Sequence, residues 1–230
     1  PLSAIIAALT EFCNQIARGN VKRIHQVRNA IKKEVGSLIG FLASLIPSLS
    51  QIIEIPATAG LNAGGMEAQR ILKYALRLFV RAVATPSQPL VLFIDDLQWA
   101  DSISLDIIES LVSDTEITSL LFLGSYRKNE VDCMHPLTGK LRSLENKQVN
   151  IIKIILGNLS EKDTNELISD LIQTPPHTTI PLSSAVHRKT SGNALFILQF
   201  LSSICDEGLI NFSSESNQWK WDISMIISKK

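Results

Sequence analysis

Residues 89–101 read Pro-Leu-Val-Leu-Phe-Ile-Asp-Asp-Leu-Gln-Trp-Ala-Asp, and this stretch decides the fold class. A short apolar run that follows a proline and ends in carboxylates is typical of a buried strand in a parallel sheet. Ligands gather just outside the carboxyl ends of such strands, where Asp95 and Asp96 stand. Two carboxylates there are suited to holding Mg²⁺ and orienting a water molecule beside a nucleotide phosphate, because Mg²⁺ prefers oxygen ligands. In the alternative interpretation, Asp96 only opens a loop and Asp95 caps a neighbouring element.

A second apolar run, residues 119–125, is predicted to be the neighbouring strand. Arg127 follows this strand and would reach the same crevice as the two carboxylates. An arginine at such a place can contact the γ-phosphate of a bound nucleotide. The alternative is an ordinary exposed arginine that follows a strand.

The loop that cradles phosphates in many nucleotide-binding proteins, G-x-x-x-x-G-K-[ST], is absent from the sequence. The pair Gly139-Lys140 continues with Leu141 and has no glycine at the required position upstream. In the usual topology this loop precedes the first helix, so we expect it just before Pro1. Without it, the 230-residue chain is expected to bind nucleotide weakly or not at all, and to show no appreciable ATP hydrolysis.

The composition fits a globular protein with a sizeable core, because 45% of the residues are hydrophobic and 19% are charged. The formal net charge is zero, which argues against nucleic acid as a partner. No apolar run reaches the roughly 20 residues that span a bilayer, and no secretory leader is visible. Three widely separated cysteines match neither a metal site nor a disulfide framework, which favours a reducing, cytoplasmic location.

Hydrophobic periodicity predicts an α/β fold with a mostly parallel sheet and flanking helices. Helices are predicted over residues 1–18, 20–46, 65–84, 102–112 and 160–173, with a long connector at 47–65. Gly36 and Gly40 are weak points of the second helix. Strands are predicted over residues 89–96, 119–125 and 149–156. After the proline pair at 175–176 the pattern predicts helices over 182–190 and 193–207, then a hairpin over 209–221. The predicted domains are therefore a core, residues 1–174, and a small, mainly helical second part, residues 175–230.

Three motifs together resemble those of the AAA-type, STAND-class NTPases, which include the origin-recognition-like AAA ATPase domains. Leu92-Phe-Ile-Asp-Asp-Leu-Gln-Trp-Ala-Asp101 resembles their Walker B signature, and Leu121-Phe-Leu-Gly-Ser-Tyr-Arg127 resembles their sensor-one strand. Thr190-Ser-Gly-Asn-Ala-Leu-Phe196 resembles the stretch that opens their lid helix. With Trp219-Lys-Trp-Asp222, the tail is similar to the ATPase module of large multidomain signalling kinases.

The resemblance implies a P-loop NTPase fold, a helical lid and the start of a winged-helix-like part. It implies that the intact domain binds ATP with Mg²⁺ and acts as a signalling switch. By motif, Asp95 would be the Mg²⁺-associated acid, Asp96 the catalytic acid and Arg127 the sensor-one residue. Gly192 and Asn193 in the lid stretch would contribute to cofactor binding.

The partners implied by the resemblance are ATP and the other domains of a larger signalling protein, and a homo-oligomer is left open. Ala194 departs from the family, which has a proline near the adenine at this place. The rival hypothesis is a non-hydrolysing interaction or scaffold module that retains the fold without the ATP site. A third hypothesis, DNA binding through the winged-helix-like end, lacks a visible basic recognition helix.

Overall fold

The computed structural model describes residues 2–55, 65–214 and 216–229, and the chain folds as two compact units. The first unit is Pro1–Ile151 and the second is Ile152–Lys230. This division lies earlier than the boundary predicted after residue 174. The reason is that the helix predicted over 160–173 packs with the later helices, and its Ile168 is part of the buried core of the second unit.

Helices and a two-stranded parallel sheet make up the described part of the first unit. The helices are α1 Ser3–Ala17, α2 Val21–Val35, α3 Ile39–Leu45, α4 Gly65–Val83, α5 Ser102–Val112 and α6 Pro136–Asn146. The strands are β1 Leu90–Ile94 and β2 Leu120–Gly124, in register from Leu90 opposite Leu120 to Ile94 opposite Gly124. The predicted parallel pairing of these strands is confirmed, and their carboxyl ends lie side by side.

The single helix predicted over residues 20–46 is wrong, because Gly36 ends α2. Its φ is +55°, a conformation that glycine adopts without steric penalty. A 3₁₀ turn at Gly36–Leu38 leads into α3, and a second one covers Pro47–Gln51. Of the connector predicted over 47–65, residues 56–64 lie outside the described part of the chain.

The apolar core of the first unit joins its helices to one face of the sheet. Phe79 of α4 is fully buried and meets Phe12 of α1 edge to face, with ring centroids 6.3 Å apart. Leu92 and Ile94 of β1 are buried in the same core. Each large apolar side chain buried in this way contributes about 1.5–3 kcal/mol, so this core fixes the position of β1.

The opposite face of the sheet is exposed. Val91, Phe93, Leu121 and Leu123 are 56%, 58%, 54% and 45% exposed, respectively, and they form the open sheet face. The predicted buried strand is therefore buried on one face only, and no further layer of the described chain packs on the other. The residues alternate along each strand, so one face is apolar and covered while the other is apolar and uncovered.

An ion cluster on the surface joins α4, α5 and α6. Its acids lie on α5 or just after it, and its bases lie on α4 and at α6. The members are Asp106, Glu109, Asp114, Glu116, Lys73, Arg77, Arg81, Lys140 and Lys147. We call this set the helix ion cluster.

Asp114 is the most buried acid of the helix ion cluster. Arg81 Nη2 donates to both of its carboxylate oxygens at 2.7 and 2.8 Å, and Arg77 Nε donates to Oδ2 at 2.6 Å. Burial alone would raise the pKa of Asp114, but these hydrogen bonds and one from the Glu116 N–H outweigh it and lower the pKa to about 2. The negative charge of Asp114 is therefore paired with the two arginine side chains in the folded chain.

Glu109 is the acid that links α5 to α6. It accepts hydrogen bonds from Lys140 Nζ at 2.7 Å, Lys147 Nζ at 2.6 Å and the Ser143 hydroxyl at 2.6 Å. Burial would raise the pKa of Glu109, but these donors outweigh it and lower the pKa to about 2. The cluster thus fastens α6 to α5, which matters because α6 begins beside the candidate site.

The strand predicted over residues 149–156 is wrong. The described structure has no strand there, and Ile152, Ile154, Ile155 and Leu156 are exposed. An apolar run becomes a strand only when another strand offers its backbone N–H and C=O groups, and the described residues provide no such ladder for this segment.

The second unit consists of helices and one hairpin. Its described elements are α7 Glu161–Ile172, α8 Pro176–Thr190, α9 Ala194–Asp206, β3 Ile210–Ser213, β4 Gln218–Trp221 and α10 Ile223–Ser228. The predicted start of α7 is confirmed, because Ser160 and Asp163 form a capping box. The predicted hairpin is confirmed by the antiparallel pairing of β3 with β4.

The helix predicted over 182–190 begins earlier than expected, at Pro176. Proline is tolerated at the first helical position because the N–H that it lacks would have no partner there. Pro181 also lies inside α8. Among the described residues, no helix has both the length and the apolar character needed to cross a membrane.

Candidate functional site

The carboxyl ends of β1 and β2 bring together the residues that the sequence singled out in the first unit. Ser125 N–H donates to the Ile94 carbonyl at 3.1 Å, and Leu97 N–H donates to the Ser125 carbonyl at 2.8 Å. These bonds continue the strand pairing beyond the last strand residues. As a result Asp95, Asp96, Gln98, Ser125 and Arg127 lie in one group, which we call the strand-end cluster.

Asp95 is held through one of its two carboxylate oxygens. Oδ1 accepts a hydrogen bond from the Asp96 N–H at 3.0 Å and a short one from the Ser125 hydroxyl. Oδ2 accepts no hydrogen bond from any described residue, and the side chain is exposed. Asp95 is therefore held through one carboxylate oxygen, while the other is available for further ligands.

Asp96 adopts a left-handed backbone conformation, with φ +54° and ψ +46°. This region is unfavourable for most residues, although aspartate is found there more often than most. Such conformations persist only where surrounding contacts enforce them, and they concentrate at functional sites. The 3₁₀ turn Leu97–Trp99 follows directly, so Asp96 is the point at which the chain leaves the strand.

Gln98 is one of two residues of the cluster that sequence reasoning missed. Its Nε2 donates to Asp96 Oδ1 at 2.8 Å, and its Oε1 accepts from the Arg127 N–H at 3.2 Å. Its own carbonyl accepts from His135 Nε2 at 3.0 Å. Ser125 was also missed as a partner of Asp95. Both residues lie inside quoted motifs, but only the strand pairing reveals their contacts.

Arg127 lies beside Asp96 at the strand ends, and its guanidinium has three neighbouring groups. Its Nε lies 3.8 Å from Asp96 Oδ1, and its Nη1 donates to Glu130 Oε1 at 3.1 Å. Its Cζ lies 5.5 Å from the centroid of the Trp99 ring, within range of a cation–π contact. The guanidinium is still more than half exposed, so it remains accessible to an anionic group.

A cleft of about 210 Å³ opens beside Asp95 and Asp96, and the first turn of α1 forms its other wall. Typical small-molecule sites measure roughly 300–1,000 Å³, so these residues enclose only part of the space that a nucleotide needs. Asp101 fixes that wall: it accepts hydrogen bonds from the Ser104 N–H at 2.9 Å and the Leu2 N–H at 3.0 Å. The first makes Asp101 the N-cap of α5.

The pKa of Asp101 reflects this structural use. Burial would raise the pKa, but hydrogen bonds from the N–H and hydroxyl of Ser104 and from the Leu2 N–H lower it to about 2. Asp101 therefore differs from Asp95, whose second oxygen is open.

The residues of the cluster fit a Mg²⁺ ion that is bound largely through water and phosphate. Asp95 Oδ2 and the carboxylate of Asp96 are hard oxygen donors at an accessible strand end. The described residues contain no group of three or more His, Cys, Asp or Glu side chains that could enclose a metal. Mg²⁺ usually keeps several waters and takes one or two protein carboxylates beside a nucleotide, which matches this donor set.

Gly192 and Asn193 lie in the second unit, where both have structural roles. Gly192 has a φ of +74°, and a Cβ there would come within 2.2 Å of the Leu159 carbonyl oxygen, so only glycine fits. Asn193 is the N-cap of α9 and accepts a hydrogen bond from the Phe196 N–H at 3.2 Å. Their predicted part in cofactor binding stays a prediction.

Comparison with known proteins gives two findings. A family model described as "AAA ATPase domain" matches residues 1–123, which is more than half of the chain. A hybrid signal transduction histidine kinase G of Dictyostelium discoideum is 26% identical over 289 aligned positions, covering 98% of this chain and 8% of that protein. The chain thus spans about a twelfth of that relative's length. No solved structure matches it.

Proposed function

This chain belongs to the AAA ATPase domain family, and we propose that it supplies the Mg²⁺- and water-handling wall of an ATP site in a signalling protein. The observation that carries the proposal is the strand-end cluster. Two adjacent carboxylates and an arginine converge from neighbouring parallel strands, at the edge of a sheet where ligands bind in α/β folds.

Each residue of the proposed site has a role that follows from its surroundings. Asp95, fixed through one oxygen, offers the other to the Mg²⁺ shell. Asp96 accepts a proton or hydrogen bond from the water that attacks the terminal phosphate, and Arg127 contacts that phosphate. When bound, Mg²⁺ supplies charge neutralisation at the phosphate oxygens. The protein contributes mainly positioning and electrostatic stabilisation.

The similarity to a signalling kinase supports a switch function. We propose that the ATP-bound and hydrolysed states are read by other domains of the same protein, as in a STAND-class module, with α8 and α9 as the lid and the hairpin as the start of a winged-helix-like part. Bound phosphate orders such switches through direct contacts, and hydrolysis releases them. Arg127 is the residue placed to make that contact.

The test is ATP hydrolysis by the full-length protein as a function of Mg²⁺ concentration. Asp95→Asn removes a charged ligand of the Mg²⁺ shell, and we expect it to raise the Mg²⁺ concentration for half-maximal turnover about tenfold, as loss of roughly 1.4 kcal/mol would. Asp170→Asn is the matched control, because Asp170 is exposed on α7 in the second unit. Equal Mg²⁺ dependence of wild type and Asp95→Asn would contradict the role of Asp95.

The second candidate function is a non-hydrolysing interaction module. It is favoured by the open sheet face, because contiguous exposed apolar side chains often mark a contact surface. This function predicts no Mg²⁺-dependent turnover and no ATP binding by the full-length protein. Equilibrium dialysis with labelled ATP separates the two functions, and saturable, Mg²⁺-dependent binding excludes the scaffold.

A further inference from the structure

We propose that Gln98 is a positioning residue that keeps the Asp96 carboxylate and the Arg127 guanidinium from pairing directly with each other. The proposal rests on the proposed function, since it concerns the two residues assigned there to water and phosphate. A polar residue in this turn would not need to contact the ends of both strands, as Gln98 does. The observation that carries it is one buried amide that bridges the ends of two strands.

The amide of Gln98 is oriented by two different partners. Its NH₂ group faces the carboxylate of Asp96, and its oxygen faces the backbone N–H of Arg127. Neither partner could accept the reversed amide, because a carboxylate cannot donate and a backbone N–H cannot accept. The side chain is also buried, with only 6% of the residue exposed, whereas the adjacent Trp99 is 68% exposed.

The backbone of Gln98 is anchored from a third direction. Leu137 N–H donates to His135 Nδ1 at 3.1 Å, so in the neutral ring the proton lies on Nε2 and is donated to the Gln98 carbonyl. His135 is the N-cap of α6, which Glu109 of the helix ion cluster fastens to α5. The backbone beside the bridging amide is therefore hydrogen-bonded to the N-cap of α6, and α6 is paired with α5.

The bridge explains the geometry of Asp96 and Arg127. Their closest charged atoms, Oδ1 and Nε, are 3.8 Å apart, which is too far for a direct hydrogen bond. Gln98 occupies the Asp96 oxygen that faces the arginine. A direct two-pronged pair is the stronger arrangement for these groups, and it would withdraw the carboxylate from water and the guanidinium from phosphate. Gln98 prevents that collapse without adding charge.

The first test reads the bridge in the 230-residue chain by amide hydrogen exchange. Gln98→Met keeps the shape of the side chain and removes both polar groups, so we expect the Arg127 amide to exchange about tenfold faster. The Leu97 and Ser125 amides, which bond to backbone carbonyls, are internal controls and should not change. An unchanged Arg127 amide in Gln98→Met would overturn the proposal.

The second test reads the consequence in turnover by the full-length protein. We expect Gln98→Met to lower kcat about tenfold or more with KM for ATP nearly unchanged, because it loses the donor to Asp96. Gln98→Met should add nothing in an Asp96→Asn background, since the two residues act as one unit. Gln15→Met on the exposed face of α1 is the matched control.

The outcomes separate this inference from the proposed function. If Asp96→Asn and Arg127→Ala slow turnover while Gln98→Met does not, the positioning role is wrong and the site stands. If Asp96→Asn and Arg127→Ala leave turnover unchanged, the proposed function is wrong, and with it the purpose assigned to Gln98. If Gln98→Met slows turnover only in proportion to a loss of folded protein, a merely structural role is shown and the proposal is overturned.

Discussion

Asp96 and Asp114 are both aspartates beside an arginine, and they meet that arginine in different ways. Asp114 is buried, and Arg81 approaches both of its oxygens within 2.8 Å. Asp96 is partly exposed, and the Nε of Arg127 stands 3.8 Å away with a glutamine amide beside it. In the first pair the carboxylate is hydrogen-bonded by protein groups on both oxygens. In the second pair the carboxylate and the guanidinium keep hydrogen-bonding capacity for a ligand.

The backbone repeats this difference. Asp114 follows the end of α5 and accepts the Glu116 N–H, a local arrangement that carries no left-handed residue. Asp96 is left-handed at φ +54°. Strain at a residue with unsatisfied bonding capacity is typical of sites where binding matters more than stability. The comparison shows two kinds of charge pair. The Asp114 pair holds helices together, whereas the Asp96 pair leaves charged groups available to bind a ligand.

Arg127→Ala tests the strand-end side of the comparison, and we expect a large effect on turnover. Its guanidinium contacts a phosphate in the proposed site, and loss of one such preorganised donor lowers kcat by about 100-fold. Because the side chain is more than half exposed, the free energy of unfolding should change by about 0.5 kcal/mol at most. Steady-state ATP hydrolysis and urea denaturation of the full-length protein measure the two quantities. A large loss of stability with intact turnover would reverse the assignment.

Asp114→Asn tests the helix ion cluster. It removes the charge that Arg77 and Arg81 share, and we expect the free energy of unfolding to fall by about 2 kcal/mol, since one buried partner of an ion pair is lost. The matched control is Glu116→Gln: Glu116 is exposed and binds Arg81 from outside, so its loss should change stability by about 0.5 kcal/mol or less. Chemical denaturation at pH 7 measures both. Equal effects of the two variants would show that burial of Asp114 is irrelevant.

Acid tests the same helix ion cluster by protonating its carboxylates. Asp114 and Glu109 have folded pKa values near 2, below their ordinary values near 4, so they stabilise the fold above about pH 4. This stability is lost as the pH falls from about 4 to about 2, and Asp114 accounts for about 2 kcal/mol of it. Denaturation midpoints across this range should fall steeply in the wild type and less steeply in Asp114→Asn. Parallel curves would contradict the assignment.

Local patterns in the sequence predicted what local physics determines. The apolar run before Asp95, the run before Arg127, and the starts of α5 and α7 each depend on a few neighbouring residues. Since parallel strands end at one edge, the meeting of Asp95, Asp96 and Arg127 followed from strand identity alone. These elements were predicted correctly, although their roles in catalysis stay predictions.

Other features depended on partners that a pattern cannot reveal. The run at 149–156 has the composition of a strand but no ladder among the described residues, so composition alone misled. Gln98 gains its meaning only when pairing brings the Arg127 amide, 29 residues away, to its side chain. Gly36 ends α2 through a positive φ, whereas the helical periodicity continues past it.

The most direct test of the central claim compares Asp96→Asn with Asp114→Asn in turnover and in stability. We predict that Asp96→Asn lowers kcat by about 100-fold or more, as loss of a general base does, with an unchanged unfolding midpoint. Asp114→Asn should lower the unfolding midpoint and leave the kcat of the folded protein unchanged. Wild-type turnover in Asp96→Asn would contradict the claim that the strand-end cluster handles the water of an ATP site.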